Sequence, residues 1–450
     1  MNGEKIPAVI LAAGKGERLT SDGDRPKPLV PLLSLSLLER TILSCREAGI
    51  DEFFVILGHR GEEIEPYLAG WERHYHLSIT PVTNPNWEEG NGTSALSCAP
   101  YLKRSFLLLM CDHLFDPGAI PHLIAEEKEE GACTLLVDRC LDHVFDREDA
   151  TCVRVTEGRI TAIGKGLSEA DGIDTGIFLC RPFLFGALRE ARAQGDGSLS
   201  GGMRILARAG KLRAVDIEER SWLDIDTPQA LREGRRLLMR SLGKPNEDGI
   251  VSRLFNRPIS VRISAFLVTH RLFSRLTPNA ISLVSFLLVL SSAFLFTLEE
   301  YWAIVAAGVL LELGSVVDGC DGEVARLTFR TSRFGAWFDT LLDRYGDTAV
   351  VIGITYGFSR FHTGPLVWVG GSLALSGFLL VSYTKKEHVL RYGKPLSRSL
   401  WTLLIKRDLR LFALFLGALF GRPYLALIVM GFISHFGIGR LFWEGRERRN

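Results

Sequence analysis

"DGCDGEVARLTFRTSRFGAWFDTLLD" spans Asp318–Asp343. It joins two apolar stretches, each near the length of roughly 20 residues that a membrane helix needs. Aspartates stand at 318, 321, 339 and 343. An aspartate at the centre of a membrane helix costs about 2.5–3.5 kcal/mol on the translocon scale, so four without partners would not be sustained. Asp318 and Asp321 are three apart, and Asp339 and Asp343 four apart, so each pair shares one face of its helix. Gly335 lies one turn before Asp339 on that face, where a missing side chain leaves room for a ligand. Converging carboxylates repel each other unless a cation lies among them, and hard oxygen ligands select Mg²⁺ or Mn²⁺. Two such ions would polarise a diphosphate and leave one carboxylate to deprotonate an attacking hydroxyl. Helix-end caps paired with Arg326, Arg330 and Arg333 are the bland alternative. Capping explains neither the spacing nor the small residues.

Outward from this stretch the chain divides. Its 450 residues suit two or three domains. Residues 1–232 read as a cytosolic domain with evenly mixed charges, 233–276 as a linker with an interfacial amphipathic helix, and 277–450 as a membrane domain. In the first part, short apolar runs such as "PAVILAAG", "EFFVILG" and "SFLLLMCD" alternate with longer helix-like segments. That alternation predicts βα units and a mostly parallel sheet covered on both faces. "DTPQALREGRRLLMRSL" reads as a closing helix, with Thr227 as its cap and Pro228 at its first position. Residues 249–276 interleave Arg with Ile, Val, Leu and Phe, as an interfacial helix with snorkelling arginines does, and Pro258 must break or start a segment there.

Six spans are expected beyond it, at about 279–297, 301–318, 334–357, 365–384, 410–421 and 422–441, with the last boundary blurred around Gly421-Arg422-Pro423. "EVARLTFRTSR", "TKKEHVLRYGKPLSRSLWTLLIKRDLR" and "EGRERRN" are rich in Arg and Lys, whereas the intervening loops are not. The positive-inside rule therefore places the basic loops and both termini in the cytoplasm. "MNGEKIPAVILAAGKGERL" is no secretory signal, because its short apolar core runs into a Gly-rich loop. A net charge of +1 gives no bulk attraction for nucleic acid, and no such partner is expected. Eight scattered cysteines without a C-x-x-C pair favour reduced thiols over zinc or disulfides.

The spacing D-x-x-D-G-x-x-A-R-x8-G-x-x-x-D-x-x-x-D resembles the signature of the CDP-alcohol phosphotransferases, which are six-helix membrane enzymes. Asp318, Asp321, Gly322, Ala325, Arg326, Gly335, Asp339 and Asp343 fill every position. The resemblance implies that the first three aspartates hold metal ions and that Asp343 is the base. It also implies that Gly322 and Ala325 make space for cytidine, that Arg326 lies near the nucleotide, and that the domain forms a homodimer. "LTPNAIS" at 276–282 resembles the family's entry into its first span. The motif assigns Asp347 nothing, and a hydrogen bond inside the bundle is the expectation. Arg398, Lys406, Arg407 and Arg410 lie in the basic loop before the fifth span, either as a positive-inside anchor or as a pocket for a phosphorylated acceptor.

"VILAAGKGERLTSDGDRPKPLVPL", residues 9–32, runs from a strand into G-x-G-x-R and then "RPKPL". Free N–H groups of Ala12, Ala13, Gly14 and Gly16 can cradle phosphates, while Arg18 and Lys27 can neutralise charge on a leaving pyrophosphate. Position 19 is Leu, so the third glycine of a dinucleotide fingerprint is missing. The segment resembles the sugar-phosphate nucleotidyltransferases, an α/β Rossmann-like fold. "LLLMCDHLFD" ends a strand at Asp112, and "SWLDIDTPQAL" offers Asp224 and Asp226. The resemblance implies that Asp112 and one of the latter pair share Mg²⁺, with Asp224 matching the W-x-D form. It further nominates Asn91, Gly92 and Ser94 for the base and sugar, and Lys165 and Asp174 in "DTGIF" for the sugar phosphate. His113 reads as a packed strand-end histidine.

One half thus resembles an enzyme that makes a nucleotide-diphospho compound, and the other an enzyme that consumes CDP-alcohols. Their fusion makes sense if the first product is the second substrate, which argues for CTP. The domain order, "CDHLFD" and "DHVFDREDATCVRV" resemble bifunctional enzymes that join CTP and inositol 1-phosphate into CDP-inositol and then transfer its inositol phosphate to a second inositol 1-phosphate, releasing CMP. A lipid alcohol as acceptor, or an inactive membrane anchor, are the rival readings.

Overall fold

The protein is described by a computed structural model at residues 5–19, 25–127, 131–141, 145, 150–167, 169–243, 248–270, 273, 276–298, 300–393 and 399–447. It forms two compact units, Met1–Leu237 and Leu238–Asn450. The second unit therefore begins inside the segment expected to be a linker.

Apart from a short ribbon of Pro31–Leu32 with Leu35–Ser36, the strands of the first unit are β1 Ala8–Ala12, β2 Glu52–Leu57, β3 Ser78–Thr83, β4 Phe106–Met110, β5 His113–Phe115, β6 Cys133–Asp138, β7 Cys152–Thr156, β8 Arg159–Gly164, β9 Gly172–Cys180, β10 Leu212–Asp216 and β11 Trp222–Asp224. Nine of them make one sheet in the order β3-β2-β1-β4-β9-β6-β10-β8-β7, while β5 and β11 pair as a small antiparallel ribbon. The four strands β3-β2-β1-β4 are parallel. β9 enters antiparallel to both β4 and β6, so the sheet is mixed rather than mostly parallel. Alternate residues of each central strand face opposite cores: Val9, Leu11 and Leu108 one way, Ile10, Ala12 and Leu109 the other. Burial on both faces is why these strands read as continuous apolar runs.

Helices α1 Leu37–Glu47, α2 Gly61–Tyr75, α3 Asn91–Leu96, α4 Ala119–Ala125, α5 Leu184–Ala193 and α6 Leu199–Arg208 connect the strands, and α7 Pro228–Ser241 follows β11. A capping box of Ser36 and Glu39 starts α1. Thr227 caps α7, accepting the Ala230 N–H at 3.1 Å, with Pro228 first in the helix as expected.

The second unit is all helical: α8 Arg257–Thr269, α9 Pro278–Leu295, α10 Tyr301–Leu327, α11 Arg333–Ser359, α12 Pro365–Tyr392, α13 Leu400–Leu404, α14 Arg407–Leu419 and α15 Pro423–Glu447. Pro258 stands at the start of α8 and breaks nothing. Arg257 does not snorkel outward. It donates to Glu323 of α10 at 2.6 Å and to Asp248 at 2.7 Å, and Ser260 and Ser264 complete the fully buried Glu323 carboxylate. Six helices lie where the six spans were expected, but among the described residues two of them, α11 and α14, do not qualify as apolar spans. Four described helices are long and apolar enough to cross a membrane: Pro278–Leu295, Tyr301–Leu327, Pro365–Tyr392 and Pro423–Trp443. α11 carries Asp339, Asp343, Arg344 and Asp347 along its length, and α14 has only 13 residues. The blurred boundary resolves at Gly421, whose φ of 65° ends α14 before Pro423 opens α15. Thr277 caps α9, and Ser332 caps α11, the helix that carries Asp339 and Asp343.

Candidate active sites

In the first unit the loop after β1 and the residues after β4 meet at the carboxyl edge of the parallel strands, where ligands bind in open α/β sheets. Since β9 runs the other way, its N-terminal residues Asp174–Gly176 reach the same edge. Two adjoining clefts open there. One is lined by Ala13, Gly14, Gly16, Lys27, Asn91 and Ser94, and the other by Lys165, Asp174 and Asp224. Arg18, Asn91, Asp112 and Asp226 line both. Ala12 lies in the core beneath the loop, not on the cleft wall. Gly92 is buried against the backbone of Ser198 and serves the seating of α3; a Cβ there would come within 2.6 Å of it. Asn91 accepts the Leu199 N–H at 2.8 Å and Ser94 accepts from Asn84 at 3.0 Å, so both have fixed orientations.

Lys27 is 6% exposed and bridges Asp112, at 2.5 Å, and Asp226. Arg18 also pairs with Asp226. Gly16, with φ of 68°, is needed because a Cβ would sit 2.6 Å from the Lys27 stem. Burial alone would lower the Lys27 pKa, yet the two carboxylates raise it above its ordinary value, so it stays an ammonium. Asp112 is likewise pushed up by burial but held below the usual range by Lys27 and His113. Asp224 is raised to about 6, chiefly by burial. The two aspartates of the WLDID segment are thereby separated: the cations take Asp226, and Asp224 groups with Asp112 and His113.

His113 departs from the packing role expected of it. Its Nε2 lies 3.8 Å from Asp112 and 3.7 Å from Asp224, and its Nδ1 lies 2.7 Å from the Thr175 carbonyl. Burial works against its charge, but Asp224, Asp112 and the Thr175 carbonyl together raise its pKa. Asp224 Oδ1 is buried with no hydrogen-bond partner among the described residues. An orphaned oxygen beside a second carboxylate fits a divalent cation.

In the second unit, ligand atoms of Asp318, Asp339 and Asp343 lie within 4.8 Å of one another. Asp321 is not in that group; the hydroxyl of Ser282 on α9 and the Gly322 N–H hold its carboxylate. Among the described residues Asp339 makes no ion pair, which leaves it available as a hard oxygen ligand. Gly335 faces Asn279, its absent Cβ 3.2 Å from Oδ1, Ala325 is buried, and Gly322 lies beside Arg326. Arg326 donates to the Leu242 carbonyl at 3.4 Å, and its buried Nε has no hydrogen-bond partner among the described residues.

Two basic residues of the segment read either as an anchor or as an acceptor pocket turn inward towards the aspartates. Arg407 points into the aspartates, with Nη1 2.7 Å from Asp343 and 3.2 Å from Asp318, and Nε 3.0 Å from Asp347. Arg410 is buried over the Phe378 ring at 4.4 Å and faces Asp347 at 3.8 Å, so it lines no open surface. Arg398 lies outside the described residues. Asp347, 3% exposed, makes the hydrogen bond expected inside the bundle, accepting from Arg407 Nε at 3.0 Å, and is also the shared counterion of Arg344, Arg407 and Arg410. Arg344, which no motif singled out, reaches both Asp343 and the Ser382 hydroxyl.

Residues 8–209 match the MobA-like NTP transferase domain, and residues 275–438 match the CDP-alcohol phosphatidyltransferase family. A bifunctional IPC transferase and DIPP synthase from Rubrobacter xylanophilus is 38% identical, the alignment covering 96% of this chain and 94% of that protein. One from Aquifex aeolicus is 32% identical over 96% of each. The solved inositol-1-phosphate CTP transferase from T. maritima is 27% identical with a TM-score of 0.46, over 52% of this chain and 97% of that one. The chain belongs to the family of bifunctional IPC transferases and DIPP synthases, membrane enzymes that combine a nucleotidyltransferase with a CDP-alcohol phosphotransferase. Both enzyme types use divalent metal ions, and each unit holds an acidic cluster that can bind one.

Proposed function

We propose that the first unit joins CTP to inositol 1-phosphate, giving CDP-inositol and diphosphate, and that the second transfers the inositol phosphate of CDP-inositol to another inositol 1-phosphate. In the first step a phosphate oxygen of inositol 1-phosphate attacks the α-phosphorus of CTP, and the bond to the β-phosphate breaks. Lys27 and Arg18 neutralise charge on the departing diphosphate, the loop from Ala13 to Gly16 offers backbone N–H groups to the phosphates, and Asn91 and Ser94 face the nucleoside. Lys165 and Asp174 orient the inositol phosphate. Mg²⁺, or Mn²⁺ in its place, would be held by Asp112 and Asp224, with Asp226 positioning the two cations.

In the second step a hydroxyl of the acceptor attacks the inositol-bearing phosphorus, the diphosphate bridge breaks, and CMP leaves. Asp343 takes the hydroxyl proton. Asp318, Asp339 and Asp343 would hold Mg²⁺, with Asp321 beside them; bound metal supplies charge stabilisation to the diphosphate. Gly322, Ala325, Arg326 and Gly335 border the nucleotide. Arg407 and Arg410, the latter through Asp347, set the positive field in which the acceptor phosphate docks. The product is a phosphorylated di-inositol phosphodiester. Both sites and both termini are on the cytoplasmic side, in keeping with the basic loops, and the membrane unit forms a homodimer.

The observation that carries this reading is the convergence of Asp318, Asp339 and Asp343 within 4.8 Å of one another, in a chain that also builds a Lys27–Asp112–Asp226 nucleotidyl site. Purified full-length protein with Mg²⁺, CTP and inositol 1-phosphate should yield the water-soluble diester by phosphorus NMR, with or without added lipid. A product that partitions into organic solvent and forms only with lipid would instead identify a lipid alcohol as the acceptor.

A further inference from the structure

The environment of His113 is built more closely than packing requires. Its Nδ1 lies 2.7 Å from the Thr175 carbonyl. A carbonyl oxygen only accepts, so Nδ1 carries the hydrogen, and Nε2 is left to face the site. Thr175 is itself anchored, its hydroxyl donating to the Leu136 carbonyl at 2.8 Å. Gly176, with φ of 72°, has no Cβ, and one there would collide with the imidazole ring. Trp222 flanks the ring at 6.0 Å, and its indole N–H is tied to Asp138 at 2.7 Å. The DTG segment thus seats the histidine as well as bordering the cleft.

Nε2 is aimed at the space between Asp112 Oδ1, 3.8 Å away, and Asp224 Oδ1, 3.7 Å away. The latter is the oxygen without a hydrogen-bond partner among the described residues. Ligands about 2.1 Å from one octahedral ion stand roughly 3.0–4.2 Å apart, so both separations suit a shared ion. A metal-bound imidazole characteristically donates its other N–H to a backbone carbonyl or carboxylate, as His113 does.

We infer that His113 is a nitrogen ligand of the divalent metal in the nucleotidyltransferase site, completing a mixed set of Asp112, His113 and Asp224. The inference rests on the nucleotidyltransferase reading of that site. It sets the two units apart, because the membrane cluster offers carboxylates alone. Imidazole favours Mn²⁺ and later transition metals over Mg²⁺ relative to an all-oxygen set.

The test is electron spin-echo spectroscopy of full-length protein in detergent, loaded with Mn²⁺ and CTP. Imidazole nitrogen coupling is expected in the natural protein and lost in H113N and H113Q, with Mn²⁺ affinity at that site falling about tenfold or more. G176A, which drives a methyl into the ring, should weaken the coupling while leaving Asp112 and Asp224 in place. Bound Mn²⁺ without imidazole coupling in the natural protein overturns the inference, as does coupling that survives in H113N. CDP-inositol formation in the same preparation separates the two questions. Product without nitrogen coupling sinks the ligand assignment alone, whereas coupling without product with any metal sinks the substrate reading alone.

Discussion

Arg407 Nη1 lies 2.7 Å from Asp343 Oδ1, so the carboxylate assigned as the base is held by the cation expected to grip the acceptor. The same guanidinium reaches Asp318 and Asp347, joining α14 to α10 and α11. Arg407→Ala should lower CMP release from CDP-inositol by about 100-fold or more, since breaking a buried charge pair costs about 3–5 kcal/mol. Lysine keeps the charge but loses the planar fork, so Arg407→Lys should recover only part of that rate. CDP-inositol synthesis should be unchanged in both variants, as followed by phosphorus NMR.

Asp347 and Asp343 should separate on stability. Asp347 is the buried counterion of three arginines, and Asp347→Asn leaves Arg344, Arg407 and Arg410 without it. Thermal unfolding in detergent should show a loss of about 3–5 kcal/mol for that variant. Asp343→Asn should cost far less stability while stopping transfer.

Lys27 tests the nucleotidyltransferase site alone. Lys27→Met removes the ammonium between Asp112 and Asp226 and should cut CDP-inositol formation by about 100- to 1,000-fold, the size expected of one lost electrostatic stabiliser. Gly16→Ala, which presses on the lysine stem, should give a smaller loss. Neither variant should slow consumption of supplied CDP-inositol.

Asp174 carries a pH signature. Burial raises its pKa to about 6 from 3.8, with the Gly176 N–H and His113 acting the other way. Between those values the folded state keeps a proton that the unfolded chain has released, so stability falls as pH rises through the window. The cost is complete above it and absent below pH 3.8. Asn keeps an oxygen for the Gly176 N–H. Asp174→Asn should therefore raise the unfolding stability of the first unit at pH 8, by about 1–2 kcal/mol after solvent screening, and leave it unchanged near pH 4.

The strands were readable because both faces of β1, β2 and β4 are buried, and the aspartate pairs because helix periodicity is local. What escaped depends on contacts distant in sequence. The reversal of β9 follows from pairing with β4 and β6, which an apolar run cannot announce. His113 looked like packing because its partners are Thr175 and Asp224. Asp321 fits the motif's spacing, but its hydrogen bond from Ser282 on another helix is one that spacing cannot show. The basic loop's arginines were found by composition, but only the fold shows Arg407 and Arg410 converging on Asp347.

The central claim is that the product of the first site is the substrate of the second. Full-length Asp343→Asn, supplied with Mg²⁺, CTP and inositol 1-phosphate, tests it by phosphorus NMR against the unaltered protein. The account predicts stoichiometric CDP-inositol and no phosphodiester from the variant, with phosphodiester and CMP from the unaltered protein. Phosphodiester at the unaltered rate from Asp343→Asn would contradict it.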